Sequence, residues 1–153
     1  MGVLKRWFGK KEPQLFCSAV VVAAGSSSRM QGTDKIMAEL DGTPLILHTL
    51  SALEACPLIG ELVVVTREDL IVPISRLCQE SELNKVTKIV VGGATRTESV
   101  SRGLREAASD AELIAIHDGA RPFVSQALLE EVISTAAQCH AAAPAVPVKD
   151  TIK

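Results

Sequence analysis

The sequence has few aromatic residues and no apolar run long enough to cross a membrane. Among 153 residues there are one tryptophan, three phenylalanines and no tyrosine, so the core has to be built from valine, isoleucine, leucine and alanine. A transmembrane helix needs about 20 consecutive apolar residues, and no stretch of the chain approaches this length. Hydrophobic residues make up 47% and charged residues 22%, which is ordinary for a globular domain.

The chain also lacks a strong charge of one sign and any clustered cysteines. Its formal net charge is −2, whereas nonspecific binding of nucleic acid needs a basic field. The four cysteines are widely separated, so the sequence supports a zinc site or a disulfide scaffold only weakly. Cys17 and Cys139 lie in apolar surroundings and are predicted to be buried free thiols. We therefore expect a cytoplasmic protein with no nucleic-acid partner.

Residues 1–13 are predicted to form a basic tail in front of one domain at residues 14–153. The apolar residues of the tail would share one face of a helix: Val3, Leu4, Trp7 and Phe8. Such a face is found in interfacial membrane anchors, but a frayed and solvated terminus accounts for the same residues. We predict the solvated tail and no membrane partner.

Runs of β-branched residues alternate with helix-period segments along the domain. Five strands are predicted, at Ser18–Ala24, Glu61–Thr66, Thr87–Val91, Glu112–His117 and Ala142–Val148. The first four are nearly continuous apolar runs, which are typical of strands covered on both faces. The alternation predicts an α/β fold with a Rossmann-like, mostly parallel sheet and helices on both faces.

Start signals mark several of the helices. Thr43 is predicted as an N-cap with Pro44 at the first helical position, and Ser125 as the N-cap of the last helix. Thr95 and Glu98 have the spacing of a capping box. The helix that follows this box is predicted to pack through three apolar residues: Val100, Leu104 and Ala108.

Polar stretches follow four of the predicted strands. They are GSSSRMQGTDK after the first strand, GGATRTES after the third, HDGARP after the fourth and KDTIK after the fifth. Ligands bind to parallel sheets at the carboxyl ends of the strands. The convergence of these stretches on one edge predicts a ligand site there more strongly than any single motif does.

The loop after the first strand combines flexible backbone, hydroxyls and cations. Gly25 to Ser28 can form an anion cradle, although the loop matches neither a Walker A sequence nor the dinucleotide fingerprint. A serine-rich connection is the alternative. Arg29 and Lys35 favour the cradle, because cations tethered to such a loop would neutralise a polyphosphate and the extra charge of its transition state.

The other candidates each keep a structural alternative. Asp118 would suit Mg²⁺ or a substrate hydroxyl, but it would equally cap the turn that follows it. Arg121 would bind a phosphate or pair with a surface acid. Arg96 and Ser99 would contact a ligand, or they are simply residues at the start of a helix.

With these motifs in order, the chain resembles the 2-C-methyl-D-erythritol 4-phosphate cytidylyltransferases of the non-mevalonate isoprenoid pathway, a fold of the nucleotide-diphospho-sugar transferase type. The resemblance rests on AAGSSSRM from Ala23, on Lys35, on GGATRTESV from Gly92, on HDGARPFV from His117 and on AVPVKDTIK from Ala145. Ribitol-5-phosphate cytidylyltransferases share the general pattern, but PVKDTIK is closer to the methylerythritol enzymes.

The resemblance implies an enzyme that joins CTP and 2-C-methyl-D-erythritol 4-phosphate, with Mg²⁺ as cofactor and pyrophosphate as leaving group. Arg29 and Lys35 would be catalytic, and Asp118 would hold the metal. The substrate-binding residues would be Asp118, Arg121 and Thr151. The nucleotide-binding residues would be Ala23, Ala24, Gly25, Ser26, Ser27, Ser28, Gly92, Gly93, Arg96, Ser99 and Gly119.

The chain departs from the family pattern at two points and in length. A serine replaces the second glycine of the first loop, and Asp34 and Ile36 flank Lys35 in place of proline and glutamine. Family members continue beyond KDTIK into an arm that crosses to a partner subunit, so we expect this chain to be largely monomeric although the family is homodimeric. Two alternative functions stay open: nucleotide binding without turnover, and cytidylyl transfer to another sugar phosphate such as ribitol 5-phosphate.

Overall fold

The computed structural model describes residues 16–25 and 34–147, so the predicted tail lies outside the described residues. The strands are β1 (Cys17–Val22), β2 (Glu39–Leu40), β3 (Thr43–Pro44), β4 (Ile59–Thr66), β5 (Val86–Val91) and β6 (Leu113–Asp118). The α-helices are α1 (Leu45–Glu54), α2 (Ile71–Glu80), α3 (Arg96–Glu106) and α4 (Gln126–Cys139), and a 3₁₀ turn at Glu68–Leu70 precedes α2. None of the helices in these two segments is long and apolar enough to cross a membrane.

Four parallel strands form the main sheet, in the order β5-β4-β1-β6. The central strand β1 pairs in parallel with β4 on one side and with β6 on the other. Val20 and Val21 of β1 and all three valines of β4 are almost completely buried, because neighbouring strands cover their edges and helices cover their faces. The predicted α/β fold, a parallel sheet with helices on both faces, is confirmed.

The helices divide unequally between the two faces of the sheet. Helices α1, α2 and α4 share one aliphatic core with the sheet, which includes Val21, Leu62, Val64, Leu50, Ile74 and Ile133. Helix α3 packs on the opposite face. A Cβ atom built on Gly103 of α3 would lie 2.3 Å from Val20 Cγ1 and 2.8 Å from Val65 Cγ2. Only glycine allows α3 to approach β1 and β4 this closely.

The prediction of a strand at Ala142–Val148 is wrong for the residues that the structure describes. Residues 141–147 have no regular structure, and Val146 is 84% exposed. The alternating pattern contains Pro144 and Pro147, and proline has no N–H group to donate to a neighbouring strand. The prolines therefore outweigh the apolar alternation.

The predicted helix start at Thr43 is also wrong. Thr43 and Pro44 form β3, which pairs with β2 in an antiparallel hairpin, and α1 begins at Leu45 without a side-chain cap. Asp41 and Gly42 close the hairpin with φ angles of 54° and 72°. Asp-Gly is a strong signal for such a two-residue turn, and it outweighs the Thr-Pro helix signal. The caps predicted at Thr95 and Ser125 are confirmed.

Of the three apolar residues predicted to pack α3 onto the sheet, Leu104 faces elsewhere, whereas Val100 and Ala108 are half-buried. The buried residues of α3 are Ser99 and Gly103, whereas Leu104 is 42% exposed. Arg102 reaches the end of β5, and Leu104 lies on the opposite flank of the helix because successive residues are about 100° apart. Leu104 is therefore on the side of the edge strand β6, whose Ile114 and Ile116 are 41% and 48% exposed. We call Leu104, Ile114 and Ile116 the β6–α3 strip.

The cysteines of the described residues are free thiols, but they are not all in the predicted environment. Cys17, Cys56 and Cys78 are buried, whereas Cys139 at the end of α4 is exposed. The prediction of a buried Cys139 is therefore wrong, because the apolar stripe of α4 passes through Leu129 and Ile133 instead. Burial raises the pKa of the Cys17 thiol to about 11, which keeps it protonated and unreactive.

One buried carboxylate joins several elements near the amino edge of the sheet. Glu61 is 6% exposed and accepts hydrogen bonds from Ser18 Oγ at 2.5 Å, Thr87 Oγ1 at 2.7 Å and the Ala108 amide at 2.8 Å. It thereby links β4 to β1, to β5 and to the segment after α3. Burial raises the pKa of Glu61, but these hydrogen bonds and the charge of Lys88 outweigh it, and the net pKa is lowered.

Replacing Glu61 by glutamine should lower the free energy of unfolding by about 1–3 kcal/mol near neutral pH, because an amide nitrogen would face buried donors. The folded-state pKa lies below the unfolded one, so the contribution of the carboxylate is fully present above the unfolded pKa of about 4.3. It is lost as the pH falls through the folded value. Urea unfolding at a series of pH values should show the two proteins converging in acid.

Glu130→Gln is the matched control, because Glu130 lies exposed on α4. This variant should follow the wild type at every pH. A Glu61→Gln deficit that stayed constant into acid would show that the charge of Glu61 contributes nothing.

Candidate functional site

The loops that carry the candidate residues leave the sheet side by side at its carboxyl edge. Three backbone hydrogen bonds continue the strand pairing into these loops: Ala23 N to Val65 O at 2.7 Å, Gly92 N to Thr66 O at 2.7 Å and Gly119 N to Val22 O at 2.8 Å. The edge therefore has a fixed backbone frame on which the side chains are placed.

Most of the predicted site residues that the structure describes lie around this frame. Ala23, Ala24 and Gly25 follow β1, Gly92 and Gly93 follow β5, Arg96 and Ser99 begin α3, and Asp118, Gly119 and Arg121 end or follow β6. Lys35 lies in the described turn before β2. Five predicted residues lie outside the described part of the chain: Ser26, Ser27, Ser28, Arg29 and Thr151.

The loops after β1 and β5 touch with no room for a side chain between them. A Cβ atom built on Gly92 would lie 2.3 Å from Ala24 Cβ and 2.8 Å from Ser99 Oγ. Ser99 is 2% exposed; its hydroxyl accepts from Gly93 N at 3.0 Å and donates to the Thr95 carbonyl at 2.9 Å. Ser99 thus holds the Gly-Gly turn against α3. The two loops therefore present backbone groups to a ligand, and we call this surface the backbone wall.

Asp118 is held between two arginines from different elements. Arg96 donates to Asp118 Oδ1 from Nη2 at 2.9 Å and from Nε at 3.2 Å, and Arg121 donates from Nε to Asp118 Oδ2 at 3.0 Å. Partial burial raises the pKa of Asp118, but the two guanidinium groups outweigh it, and the net pKa is lowered. Asp118 is therefore an anion at neutral pH, and Arg96 and Arg121 keep exposed N–H groups for a further anion.

Lys35 is brought to the same edge by its neighbour in sequence. Asp34 pairs with Arg67, the residue directly after β4, so the turn that contains Lys35 is held beside the carboxyl end of β4. Sequence reasoning chose Lys35 but missed Asp34 and Arg67. The available signal was the charged stretch from Arg67 to Asp69 directly after a buried strand. It resembles the polar stretches that follow the other strands.

Sequence reasoning also missed two residues whose side chains donate hydrogen bonds to backbone carbonyls of this frame. Arg102 Nη1 donates to the Gly92 carbonyl at 2.8 Å, one turn along α3 from Ser99. Thr49 of α1 is fully buried and donates from Oγ1 to the Gly119 carbonyl at 2.8 Å. Arg102 comes three residues after Ser99, and this helical spacing indicates that both side chains lie near the Gly-Gly turn. Nothing in the sequence distinguishes Thr49 from an ordinary helix residue.

Asp118 is the carboxylate of this edge that would hold a metal ion arriving with its ligand. Within residues 16–25 and 34–147, no group of three or more His, Cys, Asp or Glu side chains is arranged to hold a metal. Mg²⁺ is commonly held by one or two carboxylates together with the phosphates of a substrate. The ionised Asp118 fits that role.

A family model and curated relatives identify the family of the chain. The family model of 2-C-methyl-D-erythritol 4-phosphate cytidylyltransferase (IspD) matches residues 17–153. Proteins of that name from Halalkalibacterium halodurans and Dehalococcoides mccartyi are 44% and 43% identical over 137 and 135 residues. The matches cover 89% and 88% of this chain but 60% and 59% of the relatives, so the chain spans about three fifths of their length.

Solved structures give the same similarity. The crystal structure of 4-diphosphocytidyl-2C-methyl-D-erythritol synthase from Anaerococcus prevotii has a TM-score of 0.69 and 28% identity, and the match covers 80% of this chain and 52% of that one. A second structure described as this synthase has a TM-score of 0.74 and 25% identity, with 93% of this chain and 64% of that one covered.

Replacing Gly92 by alanine should lower the free energy of unfolding by about 1–3 kcal/mol, because the new methyl group would overlap Ala24. Urea denaturation measures the loss. Gly25→Ala is the matched control: a Cβ atom there meets nothing within 4 Å, and the change should stay within about 0.5 kcal/mol. Adding Ala24→Gly should restore part of the stability of Gly92→Ala. Equal losses in both glycine variants would contradict the close approach of the two loops.

Proposed function

The chain belongs to the 2-C-methyl-D-erythritol 4-phosphate cytidylyltransferase family, and we propose that it binds CTP and transfers the cytidylyl group to 2-C-methyl-D-erythritol 4-phosphate. The observation that carries this proposal is the carboxyl edge of the sheet, where a backbone wall at Gly92 stands beside the Arg96–Asp118–Arg121 group. The wall suits a flat base, and the guanidinium groups suit phosphate.

The nucleotide would lie across the loops after β1, β5 and β6. Gly92 and Gly93 would border the cytosine with backbone groups, since Ser99 and Arg102 already hold that turn. Gly119 would border the ribose; a Cβ atom there would lie 2.9 Å from Ile46 Cδ1, so its backbone is packed directly on the core. Because this backbone is already held in place, it loses little conformational freedom when a base binds.

The reaction needs positioning and charge neutralisation more than a protein nucleophile. A phosphate oxygen of the sugar phosphate attacks the α-phosphorus of CTP, and the bond to the departing pyrophosphate breaks. Lys35, together with Arg29 as an expectation from sequence, would stabilise the charge on the triphosphate. Arg121, whose side chain is 74% exposed, would reach towards the sugar phosphate, as Thr151 is expected to do.

Asp118 would hold Mg²⁺ when the nucleotide is bound, and the ion would supply further neutralisation of the triphosphate. To do so, the carboxylate would share or release one of its two arginines. Arg96 or Arg121 would then be available to the incoming phosphate groups, so that the charge of the site stays balanced.

A cytoplasmic location in non-mevalonate isoprenoid biosynthesis belongs to the same proposal. Its support is the family relationship and the buried free thiols Cys17, Cys56 and Cys78, which are typical of a reducing compartment.

Lys35→Ala should weaken the binding of Mg²⁺–CTP about tenfold or more, because a hydrogen bond to a charged group contributes about 1.5–3 kcal/mol. Isothermal titration calorimetry measures the dissociation constant directly. Lys85→Ala is the matched control: Lys85 lies before β5, at the opposite edge of the sheet, and donates to the Cys56 carbonyl. It should bind CTP as the wild type does. Equal weakening in both variants would remove Lys35 from the nucleotide site.

Saturating CTP should also raise the melting temperature, since a ligand at a hundred times its Kd adds about 2.7 kcal/mol. ATP, GTP and UTP should raise it less. A pyrophosphate-release assay with the methylerythritol and the ribitol phosphates then separates the remaining alternatives. CTP binding without release favours a nucleotide-binding protein, and release only with ribitol 5-phosphate favours the related enzyme. No stabilisation by any nucleotide would overturn the proposal.

A further inference from the structure

The guanidinium group of Arg67 joins two carboxylates at the carboxyl end of β4. Its Nη2 lies 2.5 Å from Asp34 Oδ2 and 3.0 Å from Asp69 Oδ2, and its Nε donates to Asp69 Oδ1 at 3.1 Å. The side chains of Arg67 and Asp34 are only 29% and 23% exposed, whereas that of Asp69 is 65% exposed. The pair with Asp34 is therefore the better shielded from water, and shielding strengthens an ion pair.

Asp34 in turn fixes the backbone around Lys35. Its second carboxylate oxygen, Oδ1, accepts from the Ile36 amide at 3.1 Å, and its carbonyl accepts from the Met37 and Ala38 amides at 3.2 Å and 2.9 Å. These bonds close a tight turn in which Lys35 is the second residue. Both oxygens of the Asp34 side chain are thus committed, one to Arg67 and one to the turn.

The far side of the turn is anchored in the core. Ile36 is 5% exposed, and its carbonyl accepts from the Ile46 amide at 3.0 Å. Lys35 therefore lies between a buried isoleucine and a shielded ion pair. Without Arg67, the Asp34 side of the turn would lose its attachment to the sheet, and an unneutralised carboxylate would stand next to Lys35.

We propose that Arg67 is a positioning residue that acts through Asp34: it holds the turn that carries Lys35 against the end of β4 and neutralises the carboxylate beside it. This inference rests on the proposed function in one respect, that Lys35 meets the triphosphate of the nucleotide. Without Arg67 the turn would loosen and the uncompensated Asp34 carboxylate would attract the ammonium group of Lys35, so that this group would be placed less accurately. Small misplacements of such groups are costly in catalysis.

The first test does not need a nucleotide. In Arg67→Gln, the Ile36, Met37 and Ala38 amides should exchange with deuterium about tenfold faster or more, since local opening of the turn costs less free energy. Arg67→Lys should give intermediate rates, because a lysine keeps the charge but not the planar fork. Asp69→Asn is the matched control: it removes the exposed partner and leaves Asp34 in place, so these amides should change less than about threefold. Unchanged exchange in Arg67→Gln would overturn the inference.

The second test asks whether Arg67 acts through Lys35. The Kd for Mg²⁺–CTP is measured for the wild type, Arg67→Gln, Lys35→Ala and the double variant. Arg67→Gln alone should weaken binding about fivefold or more, whereas in the Lys35→Ala background it should add less than about twofold, because residues acting as one unit are not additive. Losses that multiply would show that Arg67 acts independently of Lys35 and would overturn the inference.

The two tests separate the inference from the proposed function. If the wild type fails to bind Mg²⁺–CTP, the proposed function fails, while the exchange rates of Arg67→Gln and Arg67→Lys still decide whether Arg67 holds the turn. If CTP binds and the turn exchanges at the wild-type rate in both variants, the positioning role fails and the proposed function stands.

Discussion

The parallel pairing of β1 with a neighbour on each side is the constraint on which the rest of the structure depends. In this pairing Val22 is opposite Val65 of β4 and Asp118 of β6. Strands β1, β4 and β6 therefore end at the same level of the sheet, and the loop after β1 lies between the loops after β4 and β6. A shift of β1 by one residue would reverse its inward and outward side chains, and it would also separate the backbone contacts that frame the candidate site.

The two ends of the sheet use polar groups in different ways. Near the amino edge, Glu61 is buried and its hydrogen bonds link four parts of the fold. At the carboxyl edge, the carboxylate of Asp118 is paired with two arginines that stay largely exposed. A buried and fully bonded carboxylate stabilises one arrangement, whereas a partly exposed ion pair contributes little stability and exchanges partners at low cost. The second kind suits a site that must accept charged ligands.

The β6–α3 strip shows a limit of reasoning from apolar pattern. The run at β6 is as apolar as that of an interior strand, yet Ile114 and Ile116 are about half exposed, because β6 is the edge of the sheet in the part of the chain that the structure describes. Leu104 was expected to pack on the sheet and is instead an exposed member of this strip. Apolar pattern identifies residues suited to burial, but the neighbouring elements decide whether burial occurs.

The sequence by itself determined the elements of the main sheet, the caps at Thr95 and Ser125 and the family, since apolar runs, capping residues and strand-end motifs are local signals. It also selected Lys35, as a cation tethered to the polar loop after β1, and Asp118, as a carboxylate at the end of an apolar run; both are local signals. Only the tertiary structure decided the partners: the arginines that hold Asp118, the Arg67–Asp34 pair beside Lys35 and the contact between Gly92 and Ala24. These join residues far apart in the chain, and their contacts exist only once the parallel strands have set them at the same edge.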